Sequence, residues 1–146
     1  MKTELRETPF DTWQELHDYQ ESLAVSKGQY GATSVFVGTM RDFNDSQSVQ
    51  AMFLEHYPEM TSRYLDKIAN EALEQWDILD TFIIHRVGQI DPDDTIVLIA
   101  VWSAHRNDAF EACRYIIEEL KHRAPFWKKE TLSDNSKRWV TKNTAG

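Results

Sequence analysis

Lys121 and Lys128 are the two residues of this 146-residue chain best placed to do chemistry together. They lie in the run Leu120-Lys121-His122-Arg123-Ala124-Pro125-Phe126-Trp127-Lys128-Lys129-Glu130, which gathers five basic or imidazole side chains around one proline and two aromatics. Residues 105–142 carry nine Lys/Arg against six Asp/Glu, whereas the remainder carries seven against eighteen, within a formal net charge of −8. Clustering positive charge against that trend is a local cost that packing does not require, so an anionic ligand is the default explanation. An acidic body with one basic patch argues against general nucleic-acid binding, which needs a wide positive footprint. It suits a small anion, and a partner steered by local charge.

The spacing explains how the two lysines could meet. The apolar residues Phe110, Cys113, Ile117 and Leu120 predict a helix over 106–123 with Lys121 in its last turn. Pro125 stops that helix and pushes Ala124 toward extended geometry. A following strand over 126–132 can run back beside the helix end. Alternation then puts Phe126, Lys128 and Glu130 on one face, and Trp127 and Lys129 on the other. The plainer reading is two solvated lysines, with Lys121 simply favouring a helix C-terminus. Two ammoniums about 8 Å apart at an effective dielectric of about 20 repel by roughly 2 kcal/mol. That lowers one pKa by about 1.5 from a reference near 10.4. Such a lysine stays mostly protonated at neutral pH, so it is a cation, anion clamp or general acid. A role as nucleophile or base requires further desolvation.

His105-Arg106 follows a near-continuous apolar run and opens the same helix. A strand end feeding a helix N-terminus suits an anion, because free N–H groups and the helix dipole point there. Arg106 can fork two phosphate oxygens. His105 can donate a proton or position a ligand, or serve only as a cap. Arg41 sits at another strand end, as an anion ligand or a solvated loop residue. His85-Arg86 and His56 lie in or beside apolar strands and read as structural. Cys113 lies on a helix's apolar stripe and reads as core. A single cysteine rules out an internal disulfide and a multi-cysteine metal site. The sequence contains no Gly-rich phosphate loop, nucleophile elbow, HExxH or CxxC.

The elements that must hold these residues follow from periodicity. Helices are expected over 11–27, with Asp11 or Thr12 as cap, and over 59–76. The first carries the stripe Trp13, Leu16, Tyr19, Leu23 and Ala24 and ends at Gly28. The second carries Met60, Tyr64, Ile68, Leu73 and Trp76. Strands are expected over 30–39, 51–57, 79–87, 95–103, 126–132 and 137–141, with a polar loop over 41–48. The run 95–103 is nearly all apolar and reads as a central strand buried on both faces. Length suits one domain, and the mixed order of elements makes it α+β, a mixed or antiparallel sheet packed with about three helices. Within that single domain, residues 1–29 read as an N-terminal helical region, 30–141 as the core and 142–146 as a tail. No apolar run approaches a membrane span and the N-terminus lacks a signal-peptide stretch, so the cytoplasm is the expected compartment.

Six motifs stand in order along the chain. They are Gly31-Ala32 leading to Phe36-Val37-Gly38-Thr39-Met40-Arg41; Leu54-Glu55-His56-Tyr57-Pro58-Glu59-Met60; His85-Arg86-Val87-Gly88; Ser103-Ala104-His105-Arg106; Ala109-Phe110-Glu111-Ala112-Cys113; and the basic run from Leu120-Lys121 through Ala124-Pro125-Phe126-Trp127-Lys128-Lys129-Glu130. Together, from about residue 30 to Val140, they closely resemble the large, catalytic subunit of molybdopterin synthase. The resemblance implies an α/β-hammerhead-like fold and a sulfur-transfer activity that installs two dithiolene sulfurs on cyclic pyranopterin monophosphate. It implies sulfur delivered as the C-terminal thiocarboxylate of a separate, ubiquitin-like small subunit, and a homodimer at the core of a heterotetramer. It implies no resident cofactor or metal. By motif, Lys121 and Lys128 match active-site lysines, and Arg41, His105 and Arg106 match substrate-pocket residues. The ending Thr144-Ala145-Gly146 resembles the sulfur acceptor, not a carrier ending in Gly-Gly.

Two other classes compete. A non-catalytic module could bind a ubiquitin-like tail through the basic patch, and a phosphate-ester hydrolase could use His105 and Arg106, though it lacks an obvious nucleophile. The turns depart from the family pattern: 44–48, 93–94 and 134–136 lack the usual glycine. Asn and Asp tolerate left-handed backbone better than most residues, so altered loop shape and retained chemistry are expected.

Overall fold

A computed structural model describes residues 1–25 and 27–140. The chain is α+β, with nine strands and three helices among those residues. In order they are β1 (Lys2–Arg6), α1 (Thr12–Glu21), β2 (Ala32–Thr39), β3 (Phe43–Asn44), β4 (Gln47–His56), α2 (Pro58–Gln75), β5 (Ile78–Arg86), β6 (Gly88–Ile90), β7 (Thr95–Ser103), α3 (Arg106–His122), β8 (Phe126–Leu132) and β9 (Lys137–Trp139).

Two sheets share the work. The first has strand order β1-β5-β7-β2, with β1 parallel to β5 and the other pairs antiparallel. The second runs β3-β4-β8-β9, with β6 also pairing to β4. As expected from its sequence, β7 is central and buried on both faces. Val97, Ile99 and Val101 pack toward α2 and α3, while Leu98, Ala100 and Trp102 pack under Leu16, Tyr19 and Leu23. Each such Val, Leu or Ile side chain removed from water contributes about 1.5–3 kcal/mol. The first sheet is therefore a rigid floor, and α3 lies across it through Ala112, Cys113, Ile116, Ile117 and Leu120.

Several expectations need correction. Residues 1–29 are not merely helical, because β1 pairs with β5 there. Its sequence Lys-Thr-Glu-Leu-Arg shows little apolar pattern, and the ladder to β5 supplies what periodicity does not. Asp11 caps α1 by accepting from the Gln14 N–H at 3.1 Å, but the helix ends at Glu21, well before Gly28. Ser22 turns its hydroxyl onto the Tyr19 carbonyl, and Leu23 leaves the helix to pack by Trp102. Pro58 begins α2, where its missing N–H costs nothing. Trp13, Met60 and Phe110, read as buried stripe residues, are exposed. The 41–48 loop is a hairpin that runs directly into β4. Its turn places Asp45 and Ser46 at φ 50° and 63°, and Asp93 and Asn135 are left-handed in the other two turns. The turns that lack glycine thus keep the backbone geometry glycine would supply. The expected strand over 137–141 ends at Trp139; Thr141 and the 142–146 tail lie outside the described residues.

Candidate active site

The end of α3 and the start of β8 form one arch. The Arg123 N–H closes the helix on the Glu119 carbonyl, and the chain passes Pro125 into β8. There β8 pairs with β4, placing Phe126 opposite His56, Lys128 opposite Leu54 and Glu130 opposite Met52. This is the reversal the proline predicted, and it brings Lys121 and Lys128 to the same cleft. The cleft has a volume of about 650 Å³ and lies between α3, β2 and the β4–β8 ladder. Its walls are largely apolar, from Phe36, Val97, Leu54, Ile117 and Phe126, and its charged groups are Arg41, Arg114, Glu118, Lys121 and Lys128. Arg41 lines the same cleft and, with both lysines, an adjoining hollow of about 130 Å³. The Arg41 guanidinium lies 4.9 Å from the centre of the Phe43 ring, which holds this exposed side chain at the rim.

Lys128 is the perturbed cation. Burial first, and then the Lys121 ammonium, push its pKa down to about 8, against the opposing pull of Glu130. The like-charge effect anticipated from spacing is present, but desolvation is larger. The drop is therefore deeper than repulsion alone would give. Glu130 is buried at 6% exposure and does not form a simple pair with Lys128. It accepts from Asn44 Nδ2 at 3.1 Å and from Arg138 Nε at 3.0 Å, and Arg138 Nη2 donates to the Asn44 carbonyl at 3.0 Å. That network ties the β3–β4 hairpin to β8 and fixes the face from which Lys128 projects.

His105 and Arg106 are placed otherwise. His105 precedes α3 without a side-chain cap, and both residues are exposed and absent from the cleft lining. Fifteen residues of helix separate Arg106 from Lys121, about 22 Å at 1.5 Å per residue. One chain therefore gathers Arg41, Lys121 and Lys128 but not His105 and Arg106. Sequence reasoning missed His85, which it read as structural. His85 lines the cleft, and its ring stacks on Phe126 with centroids 4.1 Å apart. The pattern gave no signal for this, because an apolar strand around a histidine looks the same whether the ring meets a core or a cleft wall. Cys113 is buried at 5% on the cleft wall, and burial pushes its thiol pKa up, so it is a poor nucleophile. No helix among the described residues is long and apolar enough to cross a membrane.

A largely apolar cleft with Arg41, Lys121 and a partly desolvated Lys128, beside an Arg114 already paired with Glu118, can hold an anion and stabilise negative charge that develops on an acyl oxygen. The chain is similar to known proteins over most of its length. The family described as MoaE protein matches residues 6–123. The molybdopterin synthase catalytic subunit of Ralstonia nicotianae is 46% identical over 136 residues, covering 93% of this chain and 74% of the relative. Among solved structures, a molybdopterin biosynthesis MoaE protein from Burkholderia ambifaria superposes with a TM-score of 0.79 at 41% identity, covering 99% of this chain and 92% of that one. The crystal structure of molybdopterin synthase from Staphylococcus aureus gives 0.81 at 35% identity, covering 96% and 98%.

Proposed function

From the premise that this chain belongs to the MoaE protein family, we propose that it is the catalytic subunit of a molybdopterin synthase and acts as a sulfurtransferase. In this reading it passes sulfur from the thiocarboxylated C-terminus of a small ubiquitin-like subunit to cyclic pyranopterin monophosphate. One observation carries the reading: Lys121 and Lys128 converge on one largely apolar cleft with Arg41 at its rim. Arg41 takes the phosphate, whose charge and geometry suit a guanidinium fork. Lys121 and Lys128 hold the anionic thiocarboxylate and stabilise the oxyanion of the tetrahedral acyl intermediate. With a pKa of about 8, Lys128 is mostly protonated at pH 7 yet able to give up and regain a proton during turnover. The apolar walls exclude water and strengthen each of these interactions.

His105 and Arg106 join the substrate pocket in this reading only if a second copy of the chain supplies them, because the length of α3 keeps them from Lys121 of their own chain. In this reading the homodimer implied by the family resemblance is what completes the site. Lys121→Ala and Lys128→Ala should each reduce molybdopterin formation from precursor and thiocarboxylated partner by about 10²-fold or more, as loss of an oxyanion-stabilising group does elsewhere. Near-normal turnover in both variants would sink the assignment. If they lose partner affinity and the wild type makes no product, the protein is a tail-binding module instead. Mixing inactive Lys121→Ala with inactive Arg106→Ala should restore part of the activity if the site is shared between copies.

A further inference from the structure

His85 is the cleft residue to which the reading above assigns no task. It stands near the end of β5, only 8% exposed, clamped by its stack on Phe126 at an interplanar angle of 16°. Its Nδ1 lies 2.7 Å from the Arg86 carbonyl oxygen. A carbonyl oxygen only accepts, so Nδ1 carries the hydrogen, and in the neutral ring Nε2 presents a lone pair. The ring is neutral at pH 7. Burial above all, helped by Lys128, Lys121 and His56 and opposed by the Arg86 hydrogen bond, pushes its pKa down to about 4. The hydrogen bond that acts on the ring is the one at Nδ1, to the Arg86 carbonyl.

The surroundings make that lone pair distinctive. The charged groups that act on His85 across the cleft, Lys128 and Lys121, are donors, as are Arg41 and Arg114 on the same lining. The one carboxylate on the cleft lining, Glu118, is already engaged by Arg114 at 3.0 Å and faces His122 at 3.5 Å. A cleft that held only an anion would have no use for a fixed neutral acceptor at this point. A ligand that combines an anionic group with a heterocycle bearing N–H donors needs both. We infer that His85 is a positioning residue of this cleft, whose Nε2 accepts a hydrogen bond from a ring N–H of the bound precursor and so sets the heterocycle's orientation toward Lys121 and Lys128. This inference rests on the cleft being the precursor site.

Two substitutions separate the ligand role from a structural one. In His85→Asn the amide can still donate to the Arg86 carbonyl, but nothing replaces Nε2. In His85→Gln the longer side chain carries an amide oxygen toward the Nε2 position. With precursor titrated into the full-length protein by calorimetry, His85→Asn should weaken binding about tenfold and His85→Gln should recover most of the loss. Affinity for the small subunit should be unchanged in both. Wild-type precursor affinity in His85→Asn, or equal loss in both variants with native circular dichroism, would overturn the inference. If neither variant folds, nitrogen NMR of histidine-labelled wild type decides: the Nε2 resonance should move upfield as precursor is added, and an unmoved resonance refutes the claim. Failure of the underlying reading looks different, because the wild type itself would then neither bind precursor nor form product.

Discussion

Replacing Lys128 with methionine should make this protein inactive and more stable at once. The folded pKa of Lys128 is about 8, against an ordinary 10.5. At about 1.36 kcal/mol per pKa unit, the charged form is held in the fold at a cost of about 3 kcal/mol. The unfolded chain binds more protons than the folded one between these two values. Stability therefore rises as pH climbs from 8 to 10.5, and the penalty is fully present below pH 8. Methionine keeps an unbranched apolar stem against Leu54, removes the charge, and forfeits the attraction of Glu130. The net expectation is a gain of about 1–3 kcal/mol at pH 7. Urea unfolding of both proteins at pH 7, 8, 9 and 10 tests this, since the difference between the two curves cancels groups common to both. The gap should be widest at pH 7 and close steadily above pH 8. A variant less stable than wild type at pH 7, or a gap that does not change with pH, would refute the claim that desolvation of a charged Lys128 dominates its environment.

Other outcomes follow from the same site and its supports. Glu130→Gln should lower the Lys128 pKa below 8, because Glu130 is the group that raises it; carbon NMR of the lysine ε-methylene reads this directly. The same change releases Arg138 and Asn44, and should reduce stability by about 1–3 kcal/mol in thermal unfolding. Ser46→Gly, at φ 63°, should raise stability by about 1 kcal/mol in urea unfolding with molybdopterin formation retained. A loss of stability there would show that the Ser46 side chain makes a contact worth more than the backbone strain.

How far the sequence reached depended on whether a signal was local. The arch carrying Lys121 and Lys128 was legible because helix period, proline and strand alternation all fall within a dozen residues. The burial of β7 was legible because nine consecutive positions are nearly all apolar. What failed was set by partners far along the chain. β1 is a strand because β5 lies beside it, and Phe110 is exposed because the cleft opens where a helix stripe would otherwise meet core. The same applies to the five proposed site residues. Motif order named them together, but only the length of α3 reveals that they divide into two groups. His85 was misread for the opposite reason: its local surroundings are those of a core residue, and the cleft appears only when β8 and α3 are in place.

The arch also has a consequence for how the protein folds. Lys121 and Lys128 are seven residues apart, so they can approach each other early and at little loop-closure cost. The desolvation of Lys128 is different, because it requires β8 to pair with β4 more than seventy residues earlier in the chain. The electrostatic burden of the site is thus imposed by a long-range contact, and contacts of that kind form slowly. In kinetic terms, relieving the burden should act chiefly on the rate at which the native protein opens, leaving its rate of folding almost unchanged. The charged site limits how long the folded molecule persists more than how quickly it is reached.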